Sequence, residues 1–434
     1  MVPIDTAAES IATADFNHDG NADVAVASYD AEATVSVFLG TGDGSFQRIT
    51  RYPVGSGPYG VAAGDVNEDG NQDIVVGNYN DDTISVLLGK GDGTFAPQTV
   101  VPATDVIVGV ALGDVNNDGH LDIISASEGA AVFLGNGDGT FGPPMMATSL
   151  YVLSVVLGDF DRDGNLDIGV GYIFGSGGEG YVQILKGNGD GSFVAGSKYS
   201  LAVSDPYTLA AGDVNHDGKL DVVATTFFLG IYVLIGDGDG TFAAPALYGT
   251  RGSTYGVVIA DFNRDGDLDL AVGDYSDPSF VSVLTGKGDG TFRAAINYND
   301  EGNGAVGVVA PDLNNDGSPD LVVANSNKSY QMSVFLNTGG TLLRSKSSPN
   351  PSKVGQKVTF SAQVKASVPN TGSPTGTVTF QDGAKSAKVN LVNGSATFST
   401  STLTPGTHTI TVSYSGDKNF NPNNAKPLVQ VVNP

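Results

Sequence analysis

At 434 residues with no cysteine, the chain has material for two domains or one large repeat array, and disulfide and thiol chemistry are excluded. Its net charge of −26 is uneven: residues 341–434 hold nine basic against two acidic side chains, whereas the first 340 hold 12 against 45, a net of −33. Nucleic-acid binding by counterion release is not expected of so acidic a segment, nor is membrane insertion, since no apolar run approaches the ~20 residues that span a bilayer.

From the N-terminus, Met1–Asp5 has neither the basic nor the apolar stretch of a signal peptide. The first recurrent feature then begins at Asp15. It is a nine-residue loop with oxygen side chains at positions 1, 3, 5 and 9 and glycine at position 6. Position 7 can add its backbone carbonyl. This pattern suits a hard cation that wants six to eight oxygens in a tight turn, calcium above all. Positions 1, 3, 5, 7 and 9 read Asp15, Asn17, Asp19, Asn21 and Asp23 in the first copy. The second is Asp65, Asn67, Asp69, Asn71 and Asp73; the third is Asp114, Asn116, Asp118, His120 and Asp122. The fourth, Asp159, Asp161, Asp163, Asn165 and Asp167, alone has Asp at position 3. Asp213, Asn215, Asp217, Lys219 and Asp221 form the fifth, and Asp261, Asn263, Asp265, Asp267 and Asp269 the sixth. The seventh is Asp312, Asn314, Asp316, Ser318 and Asp320. Up to seven structural calcium ions are therefore expected. An EF-hand is ruled out because the twelfth position after Asp15 is Val26 rather than Glu. A dockerin-type loop would lead into a helix and occur twice.

The copies step by 50, 49, 45, 54, 48 and 51 residues, a repeat architecture. Within a period the text predicts four short strands. In the second copy they are Tyr59–Val66, Asp73–Tyr79, Thr83–Gly89 and Ala96–Val101, rich in Val and Ile and bounded by Gly, Asn or Asp. The longest step is accounted for by an insert at residues 174–180. A Gly-Asp-Gly-Ser/Thr-Phe turn follows the third strand at residues 42–46, 91–95, 137–141, 189–193, 238–242 and 288–292, and decays at 337–342. Its Phe is expected to pack between neighbouring sheets. Seven such units close radially into an all-β, seven-bladed β-propeller over residues 1–340. Val2-Pro3-Ile4 stands as far before Asp15 as Tyr52-Pro53-Val54 does before Asp65, so the N-terminus is expected to supply the outer strand of the seventh blade.

The metal motif, the turn and the period together resemble the FG-GAP, or VCBS-type, blade of integrin α-subunit propellers and bacterial surface proteins. The resemblance implies calcium in the hairpin joining the first two strands of a blade, on the face away from the usual ligand surface. Seven ions would take residues 1–340 from −33 to −19. It also implies a secreted or cell-surface location, with any signal peptide already absent from this sequence.

After Ser345 the acidic loops stop, and residues 341–352 read as a linker. From 353 to 434, strands at 357–364, 376–380, 384–391, 396–400, 407–414 and 427–432 predict a small β-sandwich. The segments Pro374–Gly383 and Thr409–Asp417 resemble bacterial Ig-like repeats.

No catalytic constellation emerges: His18, His120 and His216 sit inside metal loops, and His408 lies in the sandwich. Adhesion or recognition is the expected role, with a glycan or protein ligand. Alternatives are a subunit of an extracellular assembly and a polysaccharide-acting enzyme built on propeller loops. The basic sandwich is a candidate for binding an anionic envelope polymer or a second copy of the chain. Six residues before a loop stand Tyr59, Tyr207 and Tyr255; six after one stand Tyr29, Tyr79, Phe227 and Tyr275. Opposite strand ends meet, so these rings are expected to gather on the face away from the metal loops as a ligand platform, with Tyr59 near Tyr79 and Tyr255 near Tyr275.

Overall fold

Short Val- and Ile-rich runs bounded by Gly and Asp become strands because branched side chains pack well on a pleat while the punctuating residues permit tight turns. A computed structural model describes the chain apart from residues 1, 5–6, 30–31, 48, 104, 175–177, 203–204, 229, 301, 327–330, 338–340, 367–373, 418–419 and 421 and the side chains of 174, 342 and 366. Parts of the 174–180 insert and of the decayed turn at 337–342 thus lie outside the described residues. The described residues contain no helix, and the chain parts into two units, the second made of Asn337–Pro434 with Asn263–Asp265 and Asp316–Ser318 grouped to it.

In the first unit the described residues form seven four-stranded antiparallel sheets. Blade 1 runs Ala8–Ala14, Asp23–Ser28, Thr34–Phe38 and Thr50–Pro53 in spatial order; blade 2 runs Pro58–Gly64, Asp73–Asn78, Thr83–Leu87 and Thr99–Pro102. The first strands pack each against the next in a closed ring, from Ala8–Ala14 round to Ala305–Val309 and back. This approach is close: a Cβ on Gly60 would lie 2.8 Å from Gly109 Cα. Ring closure follows the expected route. Val2 pairs with Met332 and Pro3 with Gln331, so Val2–Pro3 is the outermost strand of blade 7, after Ala305–Val309, Leu321–Asn325 and Gln331–Phe335.

Second strands are buried on both faces and therefore read as continuous apolar runs rather than alternating ones. Ile74 and Val76 join the core between blades 1 and 2, whereas Val75 joins Ile123 and Phe133 between blades 2 and 3. The turn phenylalanines seal the outer seams as expected. Phe95 meets Phe16 of the preceding blade at 5.3 Å between ring centroids, and Phe242 meets Phe160 at 5.9 Å.

The second unit is a sandwich. One sheet holds Thr341–Ser348, Val358–Ala366 and Ser395–Thr400. The other orders Ser352–Lys353, Leu428–Asn433, Gly406–Tyr414, Thr377–Asp382 and Lys385–Asn390. Its core includes Phe360, Phe380, Ile410, Val412 and Tyr414. Here the linker expectation is corrected. Residues 341–348 pair along their length with Val358–Ala366, and Ser352–Lys353 runs parallel to Leu428–Asn433. Period-2 burial is present, with 343, 345 and 347 half-buried and 344, 346 and 348 exposed. Leu343 packs on the sandwich core, but serines fill the inward positions 345 and 347, so the apolar alternation is too short to mark the strand.

Candidate functional site

Each nine-residue acidic loop is built from its own backbone inward. In the second, the Asp69 N–H is shared by Asp65 Oδ1 and Asn67 Oδ1, each at 3.2 Å. The Gly70 N–H goes to Asp65 Oδ2 at 2.9 Å, and the Asn71 N–H to Asp69 Oδ1 at 2.8 Å. Position 4 takes a left-handed φ of 54–62° in all seven loops and the position-6 glycine one of 79–95°. The strain is borne by whatever residue position 4 holds, because the turn requires it.

Position 9 is the anchor. Asp23, Asp73, Asp122, Asp167, Asp221, Asp269 and Asp320 are fully buried. Asp73 Oδ2 accepts the Val66 N–H at 2.9 Å and Oδ1 the Gly89 N–H at 2.7 Å. That glycine has no room for a side chain, since its Cβ would lie 2.2 Å from Gln72 O. Burial pushes the carboxyls of Asp23, Asp73 and Asp167 up to about 6 despite these N–H donors, and neighbouring carboxylates add to the rise. In the fourth loop, oxygens of Asp159, Asp161 and Asp167 lie within 4.8 Å of one another. Oxygen-only donors, crowded negative charge and a buried anchor make a set that fits a hard cation.

Position 7 does something the sequence did not disclose: its side chain turns to the neighbouring loop. His18 Nε2 of loop 1 bonds Asn71 Oδ1 of loop 2 at 3.0 Å, and Asn117 donates to Asn165 Oδ1 at 2.7 Å. Glu68 pairs with His120, and His216 with Asp267 at 3.1 Å. Arg264 Nη1 donates to Ser318 Oγ at 3.0 Å, and Asn315 to Asn21 Oδ1 at 2.7 Å. Position 4 of one loop thus grips position 7 of the next around the ring. Between loops 4 and 5 the residues are Arg162 and Lys219, two cations; Lys219 bonds Asp217 of its own loop at 3.1 Å. Loop 4 also lends Asp161 to Lys186 at 3.3 Å.

At the other ends of these strands the aromatic rings gather as expected. Tyr59 and Tyr79 lie 6.0 Å apart and Tyr255 and Tyr275 4.9 Å apart between centroids. Tyr29 joins the first pair at 6.4 and 6.1 Å, and Tyr207 stacks on Tyr255 at 4.1 Å. All six line an axial cavity of about 690 Å³. Phe227 supports Tyr207 and Tyr255 at 5.8 and 6.0 Å but does not line the cavity, which corrects its expected place. Two lining residues escaped sequence reasoning. Tyr151 precedes Asp159 by eight residues, out of register with the others. Glu9 holds the same place before loop 1 as Tyr59 before loop 2, an acid where that loop has a ring. Burial pushes the Glu9 carboxyl up to about 7 against a long hydrogen bond of 3.4 Å from Ser326 Oγ.

A family model described as FG-GAP-like repeat matches residues 15–76, 65–125, 114–170, 172–224, 228–272 and 263–323. The chain belongs to the FG-GAP repeat family. A second model, bacterial Ig-like domain (group 3), matches residues 345–433 of this FG-GAP protein. No curated protein matches the chain. Among solved structures, BBS1N in complex with ARL6DN, soaked with lead, aligns over 77% of this chain and 93% of that one at 12% identity and a TM-score of 0.53. The mercury-soaked form of the same complex aligns over the same shares at 13% identity and a TM-score of 0.52. At such identity the likeness is one of propeller fold alone. FG-GAP repeats joined to an Ig-like domain fit an extracellular recognition or adhesion protein.

Proposed function

We propose that this is a calcium-stabilised extracellular recognition protein that binds a glycan in the axial cavity on the face opposite its cation loops. The observation that carries this reading is the ring of Tyr29, Tyr59, Tyr79, Tyr151, Tyr207, Tyr255 and Tyr275 around about 690 Å³. Tyrosine offers a flat apolar face for a sugar ring and a hydroxyl for its polar edge. Ser10, Ser154, Thr208, Ser326 and Glu9 add hydrogen-bonding groups of small size or single charge. Pockets of this volume with few convergent polar groups are typical of small-ligand sites.

Calcium would be held by the side chains at positions 1, 3, 5 and 9 of each loop. When bound it supplies charge neutralisation and a clamp on the hairpin. The loops then act as fasteners, and the cavity as the reader. A glycan array in the presence of calcium tests the reading. We expect selective binding that falls at least tenfold in Tyr151→Ala, whose ring is 44% exposed. Absence of glycan binding, alongside capture of a peptide at the same rings, would replace the glycan with a protein ligand. Full binding by Tyr151→Ala and Tyr29→Ala would move the site away from the cavity.

A further inference from the structure

The axial cavity is one-sided in charge. Its lining holds one acid, Glu9, and no lysine, arginine or histidine. Apart from tyrosine, the other polar side chains there are the hydroxyls of Ser10, Ser154, Thr208 and Ser326. Two of these are engaged within the fold: Ser154 Oγ donates to Pro206 O at 3.3 Å, and Ser10 Oγ accepts the Val61 N–H at 3.4 Å. Glu9 is held less firmly. The hydrogen bond it accepts, from Ser326 Oγ, is 3.4 Å long, well beyond what a satisfied carboxylate draws from a hydroxyl.

The acid and the rings share one space. The Glu9 charge acts on the Tyr59 hydroxyl, which burial and this neighbour hold above its ordinary range. A carboxylated or phosphorylated sugar would find no cation in this lining, within a segment whose own side chains sum to −33. A positive group would find two attractions at once. Glu9 offers a charge partner, and tyrosine offers a negative ring face and a hydroxyl oxygen. An ammonium there would also offset the burial that pushes the Glu9 carboxyl up to about 7.

We propose, resting on the glycan reading above, that the cavity takes an amino sugar with a free, protonated amine, its ammonium paired with Glu9 beside Tyr59. An N-acetylated sugar is neutral and bulkier at that nitrogen, and would leave Glu9 without a charge partner.

Isothermal titration calorimetry in calcium tests this with a glucosamine disaccharide and its N-acetylated counterpart. The amine form should bind the parent chain tighter by about tenfold or more, and in Glu9→Gln that preference should shrink to about twofold or less. Because the variant leaves every loop acid in place, it separates capture in the cavity from adsorption to the acidic surface. A crystal of the parent with the disaccharide should show the amine nitrogen within hydrogen-bond distance of Glu9, and this decides the matter if the variant fails to fold. Equal or tighter binding of the N-acetylated form would overturn the amine and leave the glycan reading standing. So would binding of neither sugar where the array still finds a glycan. A preference undiminished in Glu9→Gln would overturn the pairing. Binding of neither, with an empty array, would overturn both readings, and Glu9-dependent capture of a lysine-bearing peptide would then put a protein ligand in their place.

Discussion

Ring closure rests on a two-residue strand, and the weight of that closure falls on the residue after it. Ile4 is fully buried in a cluster with Ile11, Phe38, Val306, Leu313 and Met332. The ladder itself pairs only Val2 with Met332 and Pro3 with Gln331, and proline has no N–H to donate. At a net of about 1 kcal/mol per hydrogen bond, the ladder contributes on the order of 1–2 kcal/mol. Ile4→Ala removes three carbons, about 2.4 kcal/mol at 0.8 per methylene, and the cavity left behind raises the cost to about 3–4 kcal/mol. At roughly 2 °C per kcal/mol for a large domain, the propeller transition should fall by about 6–8 °C. Differential scanning calorimetry in saturating calcium reads it. Val100→Ala is the control, since Val100 is half exposed on an outer strand and its loss should cost under about 0.5 kcal/mol. If Ile4→Ala and Val100→Ala melt together, the apolar plug does not hold the ring and the argument fails.

Chelation should lower the propeller transition by more than about 10 °C and leave that of the sandwich unchanged, since ~1.5 kcal/mol per site follows from a ~10⁻⁴ M affinity in millimolar calcium; a propeller transition insensitive to chelator would remove calcium from the account. Gly89→Ala should destabilise by more than about 2 kcal/mol in urea melts, because the new Cβ would sit 2.2 Å from the Gln72 carbonyl. A near-neutral effect would mean that the loop end shifts freely. Glu9 sets a pH dependence. Its carboxyl lies at about 7 in the folded chain against 4.5 unfolded, so between these values the folded state holds the extra proton and stability falls as pH rises. The drop, of order 1–3 kcal/mol and complete above pH 7, should be absent in Glu9→Gln. Parallel pH profiles of parent and variant would count against a raised Glu9 carboxyl.

The loops were legible because their pattern is local. Nine consecutive residues close one turn on their own backbone, so the Asp, Asn and Gly positions are dictated by the turn and repeat in the text. The strands were legible because burial on both faces demands apolar runs between polar turns. The Tyr59–Tyr79 and Tyr255–Tyr275 approaches followed from the same register, since antiparallel neighbours six residues either side of a loop must meet. Thr341–Ser348 was not legible, because Leu343 is followed by serines at the inward positions 345 and 347, which leaves too short a hydrophobic alternation to read.

What the sequence determined by itself is whatever a single repeat encodes: the loop chemistry, the four-strand unit, the period and the acidity of the first 340 residues. Only the tertiary structure decided what lies between repeats. The grip of His18 on Asn71 joins side chains 53 residues apart, and that of Asn315 on Asn21 joins residues 294 apart. Glu9 becomes a half-buried acid beside Ser326, 317 residues away, when the ring closes. A one-dimensional pattern records contacts made within a turn or along a strand. Contacts across the seams depend on how the ring closes, and closure is a property of all seven sheets at once.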